Sequence, residues 1–392
     1  MKKINKNKKR KVFVALSGGV DSSVAAALLK ERGFDVTGVF IKVWHPGSSL
    51  NYYQDSLPCQ WKLDRLDAMR VCAKLEISFF TFDFEKEYKK EIIDYMISEY
   101  KEGKTPNPDV MCNKQIKFGV FLKKAIEMGA DYIATGHYVR RSPEISNLKT
   151  QILDKFQNTN SKFQKIKLLQ AKDKNKDQSY FLWTLTQEQL KYSFFPIGEY
   201  EKSKVRKIAE KFGLLTARKK DSQGLCFIGK LDMADFLKNY IKEKRGNVLD
   251  ENGKTIGYHN GTVFFTIGQR HGFIITDKSA YDKPYYIVSK DISNNTITVS
   301  HNTITAISLA GEDKTKIKIK ALNWINGKMP NINKKYKARV RYRQLLQDCK
   351  IIKNSILDDY EIEFDKSQNT IAIGQSIVVY DGEECLGGGI IK

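Results

Sequence analysis

Three short stretches hold residue types that do chemistry together. The first, Ser17-Gly18-Gly19-Val20-Asp21-Ser22-Ser23, joins an apolar, β-branched run to a run of strong helix formers. At such a junction backbone N–H groups and the positive end of a helix dipole can hold an oxyanion, with glycines admitting a phosphate and serines adding donors. Asp21 has no use against a bare phosphate, so its expected work is to hold Mg²⁺ or to orient the loop. A Gly-Gly turn capped by Asp and Ser is the bland alternative; the flanking strand, helix and strand favour nucleotide binding. Neither G-x-x-x-x-G-K-[ST] nor G-x-G-x-x-G occurs, which disfavours a Walker-type NTPase and a dinucleotide enzyme.

The other two stretches carry cysteines. Cys112 ends Asn107-Pro108-Asp109-Val110-Met111-Cys112, with Lys114 and Lys117 following, and Cys226 lies in Lys219-Lys220-Asp221-Ser222-Gln223-Gly224-Leu225-Cys226. Positive neighbours lower a thiol pKa and favour the thiolate that attacks or carries sulfur. Asp109, three residues before Cys112, is placed to act as a base or to position a substrate. Cys59, Cys72, Cys349 and Cys385 read instead as small buried hydrophobes. His137, in Gly136-His137-Tyr138, follows a strand, and the C-terminal edge of a parallel sheet is where α/β proteins collect ligands. Arg341 and Arg343 in RVRYRQ are expected to share one strand face around Tyr342, suiting phosphate contact and base stacking.

These groups need elements to position them. KVFVAL reads as a strand, Ser22 to Arg32 as a helix closed by Gly33, and FDVTGVFIKVW as a second strand, a βαβ unit that predicts a parallel sheet covered on both faces. The grammar repeats with a helix over 63–75, the strand ISFFTFDF, a helix ending at Gly103, a Pro-rich loop, a helix over about 116–128 and the strand DYIATGHYV. Residues 141–167 are polar and read as a surface excursion; helical patterns over 186–212 and 231–243 end the α/β part. From Gly246 period-two segments take over: TVFFTIG, PYYIVSK, NTITVS, KIKIKALNW, YKARVRYRQ, YEIEFD and SIVVYDG. They predict antiparallel sheet or a small barrel, with Gly387 to Gly389 as a barrel turn. The expected architecture is a parallel-sheet α/β nucleotide-binding domain over 1–215, including a basic tail 1–11. A mixed central domain over 216–303 carries the second cysteine, and a C-terminal antiparallel β-barrel over 304–392 follows.

Composition narrows the class. The 392 residues include 67 Lys plus Arg against 45 Asp plus Glu, a net charge of +22, and 41% are hydrophobic. That length suits two or three domains, and the apolar share excludes a disordered chain. No apolar run of ~18 residues could span a bilayer, and the short VFVAL after MKKINKNKKRK is no signal-peptide core. A non-secreted protein without a membrane partner is expected. Six cysteines without a C-x-x-C argue against a disulfide scaffold or a four-cysteine zinc site and point to the cytoplasm. The positive excess points to a polyanion, a generally Lys-rich composition being the alternative.

SGGVDS resembles the PP-loop of the N-type ATP pyrophosphatases, which cleave ATP between the α and β phosphates to adenylate a substrate oxygen. With NPDVMCN, ATGHY, KDQSYFL, KKDSQGLCFIG, TIGQRHG, RVRYRQ, GQSIVVYDG and CLGGGII, in order from about residue 11 to the last, the chain resembles the tRNA-specific 2-thiouridylases of the bacterial MnmA type. The resemblance implies ATP contacts from Ala15, Leu16, Ser17, Gly18, Gly19, Val20, Asp21, Ser22 and Gly136, and a backbone contact to adenine from Ile41, where the family usually shows Met. It implies that Asn107, Pro108 and Asp109 meet the target base, that Cys112 is the nucleophile and Cys226 bears the persulfide, and that the two can pair as a disulfide. Lys176, Asp177, Gln178, His137, Arg341, Tyr342 and Gln375 would contact tRNA. The implied activity is ATP- and Mg²⁺-dependent tRNA-uridine 2-sulfurtransfer. A sulfur-relay protein or cysteine desulfurase would be the donor, and the protein would act as a monomer or a tRNA-bound complex. The basic tail and 141–167 exceed the family pattern. Two rivals stand beside this reading: another PP-loop chemistry with a nitrogen nucleophile, lysidine or amide formation, and a nonenzymatic basic RNA-binding module.

Overall fold

The computed structural model describes residues 9–45, 60–142, 165–221, 232–276, 283–301, 315–354, 359–368 and 371–392. Strand β1 (Lys11–Leu16) runs almost wholly buried into Ser17-Gly18-Gly19, and helix α1 (Val20–Glu31) follows at once. β1 pairs in parallel with β2 (Asp35–Lys42) on one side and β4 (Tyr132–Ala134) on the other; β3 (Ser78–Asp83) and β7 (Ser193–Phe194) complete the sheet in the order β3-β2-β1-β4-β7. Period-two alternation divides β1 between two cores. Val12, Val14 and Leu16 pack with Val24 and Leu28 of α1, while Phe13 and Ala15 pack with Tyr88, Ile92 and Phe121 on the opposite face. A strand buried on both sides needs the near-continuous apolar sequence that KVFVAL supplies. The order reverses at β1, between β2 and β4, and the crevice beyond the carboxyl ends of those strands is where open α/β sheets bind ligands.

The helix expected over 63–75 runs Gln60–Lys74, and the one ending at Gly103 spans Glu85–Lys101 with a π-helical stretch, Lys89–Asp94. A second π-helical stretch, Cys112–Val120, joins the short helix Pro108–Met111 to Phe121–Glu127, where only one helix from about residue 116 was expected.

Strands β5 (Val139–Ser142) and β6 (Lys167–Gln170) form a hairpin whose second strand pairs Glu384 with Leu169 on the C-terminal sheet. The predicted excursion over 141–167 is therefore shorter at both ends, and its residues 143–164 lie outside the described residues. In the central part β8 (Gly246–Leu249), β9 (Thr255–His259), β10 (Ile274–Ile275), β11 (Tyr286–Asp291) and β12 (Thr296–Ser300) make a mixed sheet, β8 and β12 running parallel. TVFFTIG is no strand: Asn295 Oδ1 accepts from both the N–H and the hydroxyl of Thr262, at 3.1 and 2.6 Å, and holds Thr262–Phe264 in a 3₁₀ turn.

The C-terminal barrel runs β13 (Lys316–Trp324), β16 (Asp359–Phe364), β15 (Gln347–Asn354), β14 (Tyr336–Arg339), β17 (Ser376–Asp381) and β18 (Glu384–Ile391), closed by β13 pairing with β18. The glycines expected to turn lie inside β18. A Cβ on Gly387 would sit 2.0 Å from Asn323 O and one on Gly388 2.1 Å from Ile377 O, so missing side chains let β13 and β17 close on either side. RVRYRQ also departs from expectation. β14 ends at Arg339, and Arg343 has φ +65°, so Arg341 and Arg343 sit on a turn rather than on one strand face.

Candidate active site

The loop after β1 is shaped by its glycines and laced by its serines. Gly18 has φ +72°, and a Cβ there would fall 2.2 Å from Asp64 O, so a side chain is excluded by backbone conformation and by space. Ser17 N–H donates to Ser22 Oγ at 3.2 Å, and Ser23 Oγ donates to Gly19 O at 2.7 Å. Gly136, just beyond β4, presses on the start of α1: a Cβ there would meet Ser22 N at 2.6 Å. One cavity of about 420 Å³ opens over this junction, lined by Ala15, Ser17, Gly19, Val20, Asp21, Ser22, Ile41 and Gly136. Of the residues expected at ATP, Leu16 packs into the core beneath and Gly18 forms the turn.

Asp21 has other partners than the expected metal. Both its oxygens accept from Lys202 Nζ at 2.8 Å, and Oδ1 also accepts from Tyr138 Oη at 2.7 Å. A cation there would have to displace an ammonium. The site's residues do not fit a protein-held Mg²⁺, and Asp21 instead orients the loop. Lys202 also bridges to Asp221 at 2.8 Å, which accepts from Lys176 at 2.7 Å and Arg206 at 2.8 Å. Burial alone would raise the Asp221 carboxyl, but the bonds from Lys176 and Lys202 outweigh it and bring its pKa down to about 2. Lys219 donates to Gly18 O, Asp64 and Asp67. The stem of the second cysteine segment is thus clamped to the nucleotide loop, and Lys220 and Asp221 line the cavity. Cys226 itself lies outside the described residues.

Asn107 caps its helix by accepting from Val110 N–H at 3.2 Å, with Pro108 in the first turn. Asp109, Asn113 and Lys117, four residues apart, line the cavity from one helical face. The Cys112 side chain is fully buried. His137 is 6% exposed; its Nδ1 lies 2.8 Å from Thr135 Oγ1 and its Nε2 3.4 Å from Lys117 Nζ. Lysine only donates, so Nε2 accepts and Nδ1 carries the proton. Burial and the Lys117 charge push its pKa well below the ordinary value, leaving a neutral imidazole that holds Lys117. It lines the cavity, but as a packed residue whose ring meets Phe118 and Phe195.

The expected tRNA contacts divide in two. Lys176, Gln178 and Tyr342 line the cavity, joined by Phe181, whose ring centroid is 4.5 Å from that of Tyr342. Asp177 does not face it: the side chain is buried, accepting from Arg339 at 2.7 Å, Ser179 Oγ at 2.8 Å and the N–H groups of Ala171 and Ser179. A buried carboxylate needs such partners, so Asp177 shapes the loop between Lys176 and Gln178 instead of meeting tRNA. Arg341 donates to Ile267 O at 2.9 Å, and Gln375 donates to Thr105 O and Pro106 O, bracing the approach to the Asp109 helix. Sequence reasoning missed Lys202, Thr135, Tyr138 and Arg339 as supports and Asn113, Lys117 and Phe181 on the wall. NKQIKF beside Cys112 was a usable signal for Asn113 and Lys117, and KDQSYFL for Phe181; the partners of Lys202 and Arg339 lie 181 and 162 residues away.

A βαβ unit with a glycine-serine loop at the switch point of a parallel sheet defines an α/β nucleotide-binding protein. Family models agree in detail: residues 10–230 match the "tRNA methyl transferase HUP domain", 234–301 the "tRNA methyl transferase PRC-barrel domain" and 314–391 the "Aminomethyltransferase beta-barrel domain". A protein named tRNA-specific 2-thiouridylase MnmA from Pseudomonas paraeruginosa is 42% identical over 98% of this chain and 95% of its own. One of the same name from Proteus mirabilis is 42% identical over 98% of both chains. The chain belongs to the tRNA-specific 2-thiouridylase family of the MnmA type.

Proposed function

We propose that the protein is an ATP-dependent tRNA sulfurtransferase that converts the wobble uridine to 2-thiouridine. The observation that carries this is one cavity shared by the Ser17–Ser22 loop, the Asp109 helix that continues into Cys112, and the stem leading to Cys226. The words methyl transferase in two of the family descriptions are outweighed by the names of the relatives and by a loop and paired cysteine segments suited to adenylation and sulfur transfer. Amide or lysidine formation would leave both cysteine segments without work.

In the reading, the loop N–H groups and the Ser17 and Ser22 hydroxyls hold the phosphates of ATP. The uridine O2 attacks the α-phosphorus and pyrophosphate leaves. Asp109 positions the base, and Lys117, held by neutral His137, stabilises charge on the adenylate. Cys226 follows Asp221 by five residues, a tether of at most ~18 Å. Its persulfide, loaded by a sulfur-relay protein or cysteine desulfurase, attacks C2 through the outer sulfur, and AMP leaves. Cys112 thiolate then attacks the Cys226 sulfur, so the C–S bond stays on the base, a Cys112–Cys226 disulfide forms, and a two-electron reductant restores both thiols. Since Cys112 is buried, this step requires its turn to open. The test is a reaction of purified protein with ATP, Mg²⁺, tRNA and a persulfide donor, read by AMP release and nucleoside mass. Wild type should give one AMP per 2-thiouridine, and Cys226→Ser should give no thiolated product; full product from Cys226→Ser overturns the sulfur route.

A further inference from the structure

Asn113 carries an unexplained atom. The residue is 2% exposed and lines the cavity, and its Nδ2 donates to Phe181 O at 3.1 Å. That bond fixes the orientation of the amide, since a carbonyl can only accept. The other end of the amide, Oδ1, is buried and has no hydrogen-bond partner among the described residues. Buried acceptors are nearly always satisfied, so an orphan on a residue that lines the cavity calls for a donor that arrives from outside the chain.

We propose that Asn113 Oδ1 is the reader of the target base, accepting the N3–H of uracil and rejecting cytosine, whose N3 is itself an acceptor. The proposal rests on the function given above and adds the group that selects its substrate. Three features around Asn113 suit a uracil. Phe181, the residue whose carbonyl holds the amide, presents its ring to the cavity beside that of Tyr342, an aromatic wall against which a flat base can stack with its edge toward the amide. Asp109 and Lys117 flank Asn113 at four-residue spacing on the same wall. C2 is bonded directly to N3, so fixing N3 at Asn113 holds the reacting carbon against the helix that carries Asp109 and Cys112. A base outside its stack, read along its Watson–Crick edge, is the form in which RNA bases are modified.

Binding separates this inference from the chemistry. Anticodon stem–loop RNAs with uridine, 5-methyluridine or 3-methyluridine at the wobble position would be titrated against wild type, Asn113→Ala and Asn113→Asp, with ATP affinity measured on each protein. Wild type should bind the 5-methyl RNA like the uridine RNA and lose about tenfold or more on the 3-methyl RNA, the size expected where a buried polar group is left unpaired. Asn113→Ala should lose affinity for uridine and narrow or invert that discrimination, because its cavity admits the methyl group. Asn113→Asp keeps an acceptor and should keep the discrimination. Equal affinity of wild type for the uridine and 3-methyl RNAs overturns the proposal even if neither variant folds. Weakened ATP binding by Asn113→Ala with unchanged RNA discrimination also overturns it, assigning the acceptor to adenine. Wild type that discriminates as expected but forms no 2-thiouridine would support the reader while refuting the sulfur-transfer function.

Discussion

Asp177→Asn isolates what the buried ion pair does. The Asp177 and Arg339 side chains are 1% and 6% exposed, and the guanidinium Nη2 lies 2.7 Å from Asp177 Oδ2. Asparagine keeps the volume, and its carbonyl oxygen can still accept from the Ala171 and Ser179 N–H groups, which bond Asp177 Oδ1 at 3.1 and 3.2 Å. What it removes is the charge, and it turns an NH₂ donor toward the guanidinium. Tyr380 Oη accepts from Arg339 at 2.7 Å, but a neutral phenol does not replace a carboxylate. Removing one partner of a buried pair costs about 3–5 kcal/mol. With ~2–4 °C per kcal/mol for a domain of this size, the first unfolding transition should fall by on the order of 10 °C. Differential scanning calorimetry reads this directly. Arg339→Met in the Asp177→Asn background removes the stranded cation and should recover much of the loss. A fall of under about 2 °C for Asp177→Asn would refute the reasoning.

Gly136→Ala should lower ATP affinity at least tenfold, read by calorimetric titration, because its Cβ meets the backbone of Ser22 and Asp21 at 2.6 and 2.8 Å and the loop must shift; unchanged affinity would separate Gly136 from the nucleotide site. Lys290 donates to Gly103 O and Phe265 O, and burial brings its pKa down to about 8, below the ~10.4 of an unfolded chain. Between those values the unfolded state binds more protons, so wild type should gain roughly 1 kcal/mol per pH unit relative to Lys290→Met above pH 8 in denaturant titrations. Parallel pH curves would contradict this. Burial pushes the Cys72, Cys349 and Cys385 thiols up to about 12, so a brief native-state alkylation read by peptide mass spectrometry should leave these three unlabelled.

The parallel domain was legible because its signals are local. A strand buried on both faces must be apolar throughout, and Ser17 to Ser23 needs its glycines whatever surrounds it. Asp109 and the part of the loop that lines the cavity were singled out for the same reason. What escaped the sequence depends on distant partners. Asp177 was expected at the tRNA, but Arg339 reaches it from the barrel; Asp21 was expected to hold Mg²⁺ or to orient the loop, and Lys202 bonds both its oxygens. Arg341 and Arg343 were assigned to one strand face by a period-two pattern that ends at Arg339, where Gln344 Oε1 accepts from Val340 N–H at 2.8 Å and turns the chain. The Gly387 to Gly389 run was read by residue type alone; closure of the barrel, a long-range event, is what requires it in a strand.

The charge of +22 and the three-part architecture acquire one purpose if the cavity thiolates a wobble uridine. Mass spectrometry of nucleosides from the tRNA of cells lacking the protein tests that claim most directly. The account predicts that 2-thiouridine derivatives disappear from the wobble position and return with wild type but not with Cys226→Ser; their persistence in the deletion strain would contradict it.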